Sequence, residues 1–182
     1  MTVRQYKVIL ISMSGVRVYN KKLLELGLTL PGFVDRSKVI ASLPSLGLLT
    51  LAAHTPDNWG IIYKELDNYT ESEIIEIINE RPDIIAFSSL TARINETYSL
   101  ADRFREQGIK VVIGGLHVSA LPNEAMNFAD CVIQGEGEII WERLLSDYES
   151  NRLKPLYSSI SNSDYTFHFN SSKIPKYELL DI

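Results

Sequence analysis

The sequence predicts an α/β domain, a three-layer sandwich whose middle layer is a five-stranded parallel sheet. Three observations carry this expectation. Short, nearly continuous apolar runs recur along the chain, as YKVILISM (6–13), IIAFSSL (84–90), KVVIGG (110–115) and DCVIQG (130–135), and such runs suit strands covered on both faces. Segments of helical periodicity separate them. Alternation of strand and helix then implies right-handed crossovers, which leave helices on both faces of a parallel sheet.

The first strand is YKVILISM. Residues 14–43 follow it without clean periodicity and contain Gly15, Gly27, Pro31 and Gly32. Connections of that length in a small domain usually carry function or move; within this one, KKLLEL has the composition of a short helix. From Pro44 the pattern becomes regular. PSLGLLTLAAHTP reads as a helix opened by Pro44 and closed before Pro56. GIIYKEL is the second strand. Thr70 and Glu73 stand at capping-box spacing ahead of a stripe formed by Ile74, Ile77 and Ile78. Pro82 and Asp83 break that helix, and IIAFSSL follows as a buried strand. ARINETYSLADRFREQG is a helix with Gly108 as its stop. KVVIGG is the fourth strand, residues near Ser119 to Asn127 suit a brief helix, DCVIQG is the fifth strand, and GEGEIIWERLLSDY is the last helix. Residues 149–182 are polar, rich in Ser and Asn, and read as a tail or linker beyond a domain spanning 1–148. No internal repeat is apparent.

A chain of 182 residues can bury a real core. Its net charge of −5 offers no electrostatic attraction to nucleic acid or to an anionic membrane surface. No apolar stretch approaches transmembrane length and the N-terminus lacks a signal peptide, so the expected location is cytoplasmic. The single cysteine, Cys131, excludes an internal disulfide and any Cys-rich metal or iron–sulfur site within these residues.

Open parallel sheets bind ligands beyond the carboxyl ends of their strands. Here those ends are SMSG (Ser12 to Gly15), SSLT (Ser88, Ser89, Leu90, Thr91), GGLH (Gly114, Gly115, Leu116, His117) and QGEGE (Gln134 to Glu138). All are small, polar or glycine-rich and leave a trough, with Ser12, Ser14, Ser88, Ser89 and Thr91 offering hydroxyls to orient a ligand. Several familiar chemistries fail on the same residues. A receiver domain needs acidic residues where serines stand. SMSGVR resembles the phosphate loop of flavodoxins but leads into thirty irregular residues rather than a helix, so an FMN protein is a weaker alternative. GEGEII lacks the third glycine of a dinucleotide fingerprint and follows the last strand, while Glu136 and Glu138 at a helix start would repel a phosphate. His54, His117 and His168 have no zinc-like spacing, and no catalytic triad can be assembled.

Taken together, SLGLLTLAAH, IIAFSSLT, VVIGGLHVSALP and DCVIQGEGE resemble, over residues 6 to about 148, the cobalamin-binding domain that precedes the barrel in B12-dependent radical-SAM enzymes. GG-x-H-x-x-x-x-P with GEGE is the most specific part. The resemblance implies a Rossmann-like sheet of flavodoxin order, with cobalamin (B12) lying across the strand ends and its nucleotide tail threaded beside the sheet. It implies that Ser88 to Thr91 contact the tail, that the missing side chains of Gly114 and Gly115 make room for it, and that Leu116, His117, Gly135, Glu136 and Gly137 complete the rim. Cobalamin domains of the classical kind carry Asp-x-His-x-x-Gly after the first strand, whose histidine ligates cobalt. SMSGVRVYN has no histidine, which implies base-off binding without a protein histidine ligand, and His117 is read as a rim residue rather than a cobalt ligand. The family's S-adenosylmethionine and 4Fe-4S cluster belong to a radical-SAM barrel with a cysteine triplet, absent from these residues; KIPKYELLDI resembles the linker leading to it. The chain is therefore expected to be the cofactor module of a longer enzyme, possessing that barrel in cis, or a free-standing corrinoid carrier or sensor that serves a partner enzyme.

Overall fold

The computed structural model describes residues 4–13, 44–66, 69–160 and 173–180. The Ser14 candidate and the KKLLEL segment lie outside the described residues. A parallel sheet runs through the centre, built from β1 (Tyr6–Met13), β2 (Trp59–Glu65), β3 (Ile84–Ser89), β4 (Lys110–Gly114), β5 (Cys131–Gln134) and β6 (Leu156–Ser158). The strand order is β2-β1-β3-β4-β5-β6, and every pairing is parallel. The first five strands take the flavodoxin order.

The sheet has six strands rather than the expected five. The extra one, β6, comes from the polar segment after residue 148. Three residues are too few to display a period; what makes them a strand is pairing to β5, with Val132 N–H donating to the Pro155 carbonyl at 2.9 Å and Ser159 N–H to the Gln134 carbonyl at 3.0 Å. Tyr157 adds a buried ring whose hydroxyl donates to Asp147 at 2.8 Å.

Successive side chains of a strand point to opposite faces, which assigns each helix to a layer. Ile9, Ile11, Ile85, Phe87, Val111 and Ile113 pack against α2 (Glu71–Asn79) and α3 (Ile94–Glu106), joined by Val118 of α4 (Leu116–Ala120) and Ala125 of α5 (Pro122–Ala125). Val8, Leu10, Ile84, Ala86, Val112, Cys131 and Ile133 pack against α1 (Leu46–Ala53) and α6 (Gly137–Glu149).

Helix boundaries follow local chemistry. Ser45 caps α1, its side chain accepting from Leu48 N–H. The capping box of α2 forms as spaced: Thr70 N–H donates to Glu73 Oε2 at 2.6 Å and Glu73 N–H to Thr70 Oγ1 at 3.3 Å. Gly108, at φ +78°, lets the chain leave α3. The brief helix expected near Ser119 to Asn127 is two short helices beginning at Leu116, because Gly115 at φ +110° turns the chain from β4 straight into α4 and Pro122 starts α5 afresh.

Residues 173–180 return to the α1/α6 layer. Lys176 N–H donates to the Leu49 carbonyl at 3.1 Å, Lys173 Nζ meets Glu142 at 3.2 Å, and Leu179 packs onto the core between those helices. Among the described residues no helix is long and apolar enough to cross a membrane.

Candidate functional site

At the carboxyl edge of the sheet, the α1/α6 face is left partly open. Ala86 and Ser88 of β3 lie beside Val112 and Gly114 of β4 in direct register, and with Ile133 of β5 they floor a cleft of about 430 Å³. Gly47, Leu48 and Leu51 of α1 line it on one side, and Gly137, Glu138 and Trp141 of α6 on the other. Gly115, Leu116, Ser119, Gly135 and Glu136 surround the mouth. The lining is mostly apolar, with Ser88, Ser119, Glu136 and Glu138 as its polar side chains, the usual mix of an apolar body and a few groups that orient a ligand. Leu116 stands at the mouth, an apolar side chain 78% exposed.

The glycines divide into two kinds. A Cβ on Gly114 would meet Ile133 Cβ at an ordinary 3.6 Å, and one on Gly47 would meet nothing within 4 Å. At these positions the backbone tolerates a side chain, and what the glycine preserves is the open volume of the cleft. Gly115 and Gly135 are different. Gly115 has φ +110° and its Cβ would lie 2.9 Å from the Ser89 carbonyl oxygen; Gly135 has φ +88° and its Cβ would run into Ser159 Oγ. These two serve the turns from strand to helix. The two glycines expected to make room for a ligand both line the cleft, but backbone geometry by itself requires glycine at Gly115 and does not at Gly114. Gly137 lets α6 approach α1, with Leu51 Cδ2 only 3.3 Å from where its Cβ would be.

Serines at the rim also part company. Ser88 lines the cleft and its hydroxyl makes no hydrogen bond among the described residues. Ser89 is turned to the opposite face and is 2% exposed, where its hydroxyl accepts from Thr97 Oγ1 at 2.8 Å and donates to the Leu90 carbonyl. Ser12, level with Ser88 across the β1–β3 ladder, is buried and bonded to Tyr63. Burial pushes the Tyr63 hydroxyl up to about 12, with the Glu65 carboxylate it donates to acting in the same direction. Leu90 and Thr91 form the turn into α3, Thr91 opening a 3-10 turn that runs to Arg93.

His117 points away from the cleft. It is 9% exposed, with Nε2 at 3.3 Å from Glu124 Oε1 and Nδ1 at 3.2 Å from Thr91 Oγ1. A carboxylate accepts, so Nε2 donates and Nδ1 meets the hydroxyl. Tyr98 donates to the same Glu124 oxygen at 3.1 Å. This network ties α4 to α3 and α5. Burial pushes the Cys131 thiol up, as expected of an inert core sulfur. Among the described residues no cluster of His, Cys, Asp or Glu could hold a metal ion.

Ser119, which sequence reading did not place in the site, staples its rim. Its hydroxyl donates to the Gly115 carbonyl and accepts from Gly135 N–H, both at 3.0 Å, joining the β4–α4 turn to the β5–α6 turn. Glu136 N–H, at the start of α6, donates to Ser159 Oγ at 2.7 Å. Also unforeseen were Leu48, Leu51, Ala86, Val112, Ile133 and Trp141. The one legible signal was Gly47, a glycine early in a helix where a side chain would have been favoured.

The B12 binding domain family matches residues 34–145. Among curated proteins, the bacteriochlorophyllide d C-8(2)-methyltransferase of Chlorobaculum tepidum is 44% identical over 77 residues, covering 42% of this chain and 17% of that protein. The bacteriochlorophyllide d C-12(1)-methyltransferase of the same organism is 35% identical over 107 residues, covering 54% of this chain and 23% of that one. An uncharacterised methyltransferase of Synechocystis is 25% identical over 143 residues, covering 77% and 25% respectively. The match therefore spans a quarter or less of the curated relatives' own length. On the extent of the family match and the cleft at the sheet's carboxyl edge, the chain belongs to the B12 binding domain family.

Proposed function

We propose that the chain is the cofactor module of a B12-dependent radical-SAM methyltransferase and holds cobalamin base-off, without a histidine ligand from the protein. One observation carries this reading: the cleft between α1 and α6 is kept open at Gly114 and Gly47, where the backbone would accept a side chain but that side chain would take up cleft volume. A largely apolar cleft with a few polar side chains, open at the strand ends, fits part of a cofactor that combines a large planar ring with a tail. The names of the relatives, all methyltransferases, support the reaction class. Residues after β6 are proposed to lead toward the radical-SAM barrel.

Each group in the chain has a task in this reading. Leu48, Leu51, Val112, Ile133 and Trp141 exclude water from the slot. Ser88, with a free hydroxyl on the cleft floor, donates to or accepts from the tail. Ser119 holds the two glycine turns together so that the mouth keeps its shape. Leu116 offers an apolar surface at the rim. Bound cobalamin supplies the cobalt chemistry of methyl transfer. Absence of a histidine ligand is supported by the engagement of both ring nitrogens of His117 with Glu124 and Thr91 away from the cleft.

The test is retention of corrinoid. Purified protein is mixed with hydroxocobalamin and desalted, and the protein fraction is expected to carry corrinoid absorbance; a colourless fraction overturns the proposal. Gly114→Leu is expected to abolish retention while leaving far-ultraviolet circular dichroism unchanged. A folded Gly114→Leu protein that still retains corrinoid would refute the assignment of the cleft.

A further inference from the structure

We infer that residues 173–180 form a strap over α1 and α6, and that docking of the strap and binding of corrinoid are coupled through these two helices. The coupling rests on the proposed function above; the strap rests on contacts within the chain. Lys176 N–H donates to the Leu49 carbonyl of α1 at 3.1 Å, and Lys173 Nζ meets Glu142 Oε1 of α6 at 3.2 Å. The same Glu142 oxygen lies 3.4 Å from Nδ1 of His54, the C-cap of α1. Leu179 packs onto the apolar cluster that holds Leu48, Val112, Ile133 and Trp141, all four of which line the cleft. One short segment therefore grips both helical walls.

Each hold falls beside a lining residue: Leu49 follows Leu48, and Glu142 follows Trp141. The strap passes from the His54 end of α1, at Lys173, to the level of Leu49, at Lys176, and so follows the helix for rather more than one turn. A helix of eight residues keeps its place by packing rather than by propensity. The position of α1 thus depends on what it touches. Trp141 Nε1, donating to Thr55 Oγ1 at 2.8 Å, ties it to α6 directly, and the strap ties both helices from a third segment. With the strap docked, the cleft stands open at about 430 Å³. The docked form is therefore the binding-competent one. Affinity falls in proportion to the fraction of molecules that leave it, and by linkage a bound corrinoid holds the strap down by the same factor.

The experiment has two arms on the whole protein. In the first, hydroxocobalamin is titrated at equilibrium into the unmutated protein and three variants. Lys176→Pro, which removes the donor to Leu49, and Leu179→Ala, which removes the apolar anchor, are each expected to weaken binding about fivefold or more. Ile174→Ser, at a side chain 82% exposed, should bind as the unmutated protein does. In the second arm, amide exchange of the unmutated protein is followed with and without hydroxocobalamin. Exchange at Lys176 should slow on binding, while exchange at Gly108 N–H, which donates to the Arg105 carbonyl at the end of α3, should not. This arm needs no variant and stands even where a substitution prevents folding. Unchanged affinity in both Lys176→Pro and Leu179→Ala, or exchange at Lys176 indifferent to corrinoid, overturns the inference and leaves the proposed function standing. Failure of the unmutated protein to bind corrinoid overturns the proposed function itself.

Discussion

A Cβ on Gly115 would stand 2.9 Å from the carbonyl oxygen of Ser89 and 3.2 Å from its nitrogen, while the neighbouring Gly114 would accept one at ordinary contact distance. Two adjacent glycines therefore have unrelated physical reasons. Gly115→Ala is expected to destabilise the fold by about 1–3 kcal/mol, since it adds both a left-handed strain and a backbone collision. Gly114→Ala should change stability by less than about 0.5 kcal/mol. Urea unfolding midpoints of the two variants check the contrast, and equal losses would contradict it.

His117 bridges Thr91 and Glu124 rather than facing the cleft. His117→Ala should lower stability by about 1–2 kcal/mol, the range for losing hydrogen bonds at a buried position. Corrinoid retention and the visible spectrum of bound corrinoid should match the unmutated protein. A spectral shift on removal of this imidazole would mean that it reaches the cobalt.

Lys176 N–H donates to the carbonyl of Leu49, in the middle of a helix that walls the cleft. Lys176→Pro removes that donor, and the φ of −74° at this position suits proline. Amide exchange across residues 173–180 should accelerate, and stability should fall by about 0.5–1.5 kcal/mol. Unchanged exchange would show that Leu179 alone holds the segment.

Tyr63 lies half-buried, donates to Glu65 at 2.8 Å and accepts from Ser45 N–H at 2.9 Å. Burial first, then the Glu65 carboxylate, raise its hydroxyl from the ordinary 10.0 to about 12. The folded state thus prefers the protonated ring: its contribution is complete below the unfolded value and is lost as pH rises from 10.0 to about 12. Stability should decline through that window, less steeply in Tyr63→Phe. Tyr148, also raised to about 12 by burial and Asp83, contributes to the remaining slope.

Thr70→Ala removes the acceptor for Glu73 N–H and is expected to cost about 1 kcal/mol. The Glu73 carboxyl is held below its usual range by the Thr70 N–H. Its contribution is accordingly present above the ordinary 4.5 and is lost as pH falls through the depressed value. Urea midpoints of Thr70→Ala and Glu73→Gln, followed from neutral to acid pH, check both statements: Glu73→Gln should lose that acid-side slope.

Sequence alone determined the layers. Apolar runs of strand length, separated by helical stripes, specify which residues are buried on both faces, and the capping box at Thr70 and the stop at Gly108 fall where local chemistry demands them. It also picked out Ser88 and Gly114, which line the cleft at the strand ends, together with Ser12 and Ser89, which do not. Tertiary structure decided three further things. It made Leu156–Ser158 a strand, since pairing to β5 rather than any pattern in those residues supplies the hydrogen bonds. It assigned Ser88 and Ser89 to opposite faces, one open to the cleft and one bonded to Thr97, because the pleat turns adjacent side chains apart. And it brought Leu48 and Leu51 of α1 opposite Trp141 of α6, far apart in the chain, to enclose the slot. Periodicity reports which face of an element is covered; which element covers it, and where the covering stops short, depends on contacts between segments that no local pattern contains.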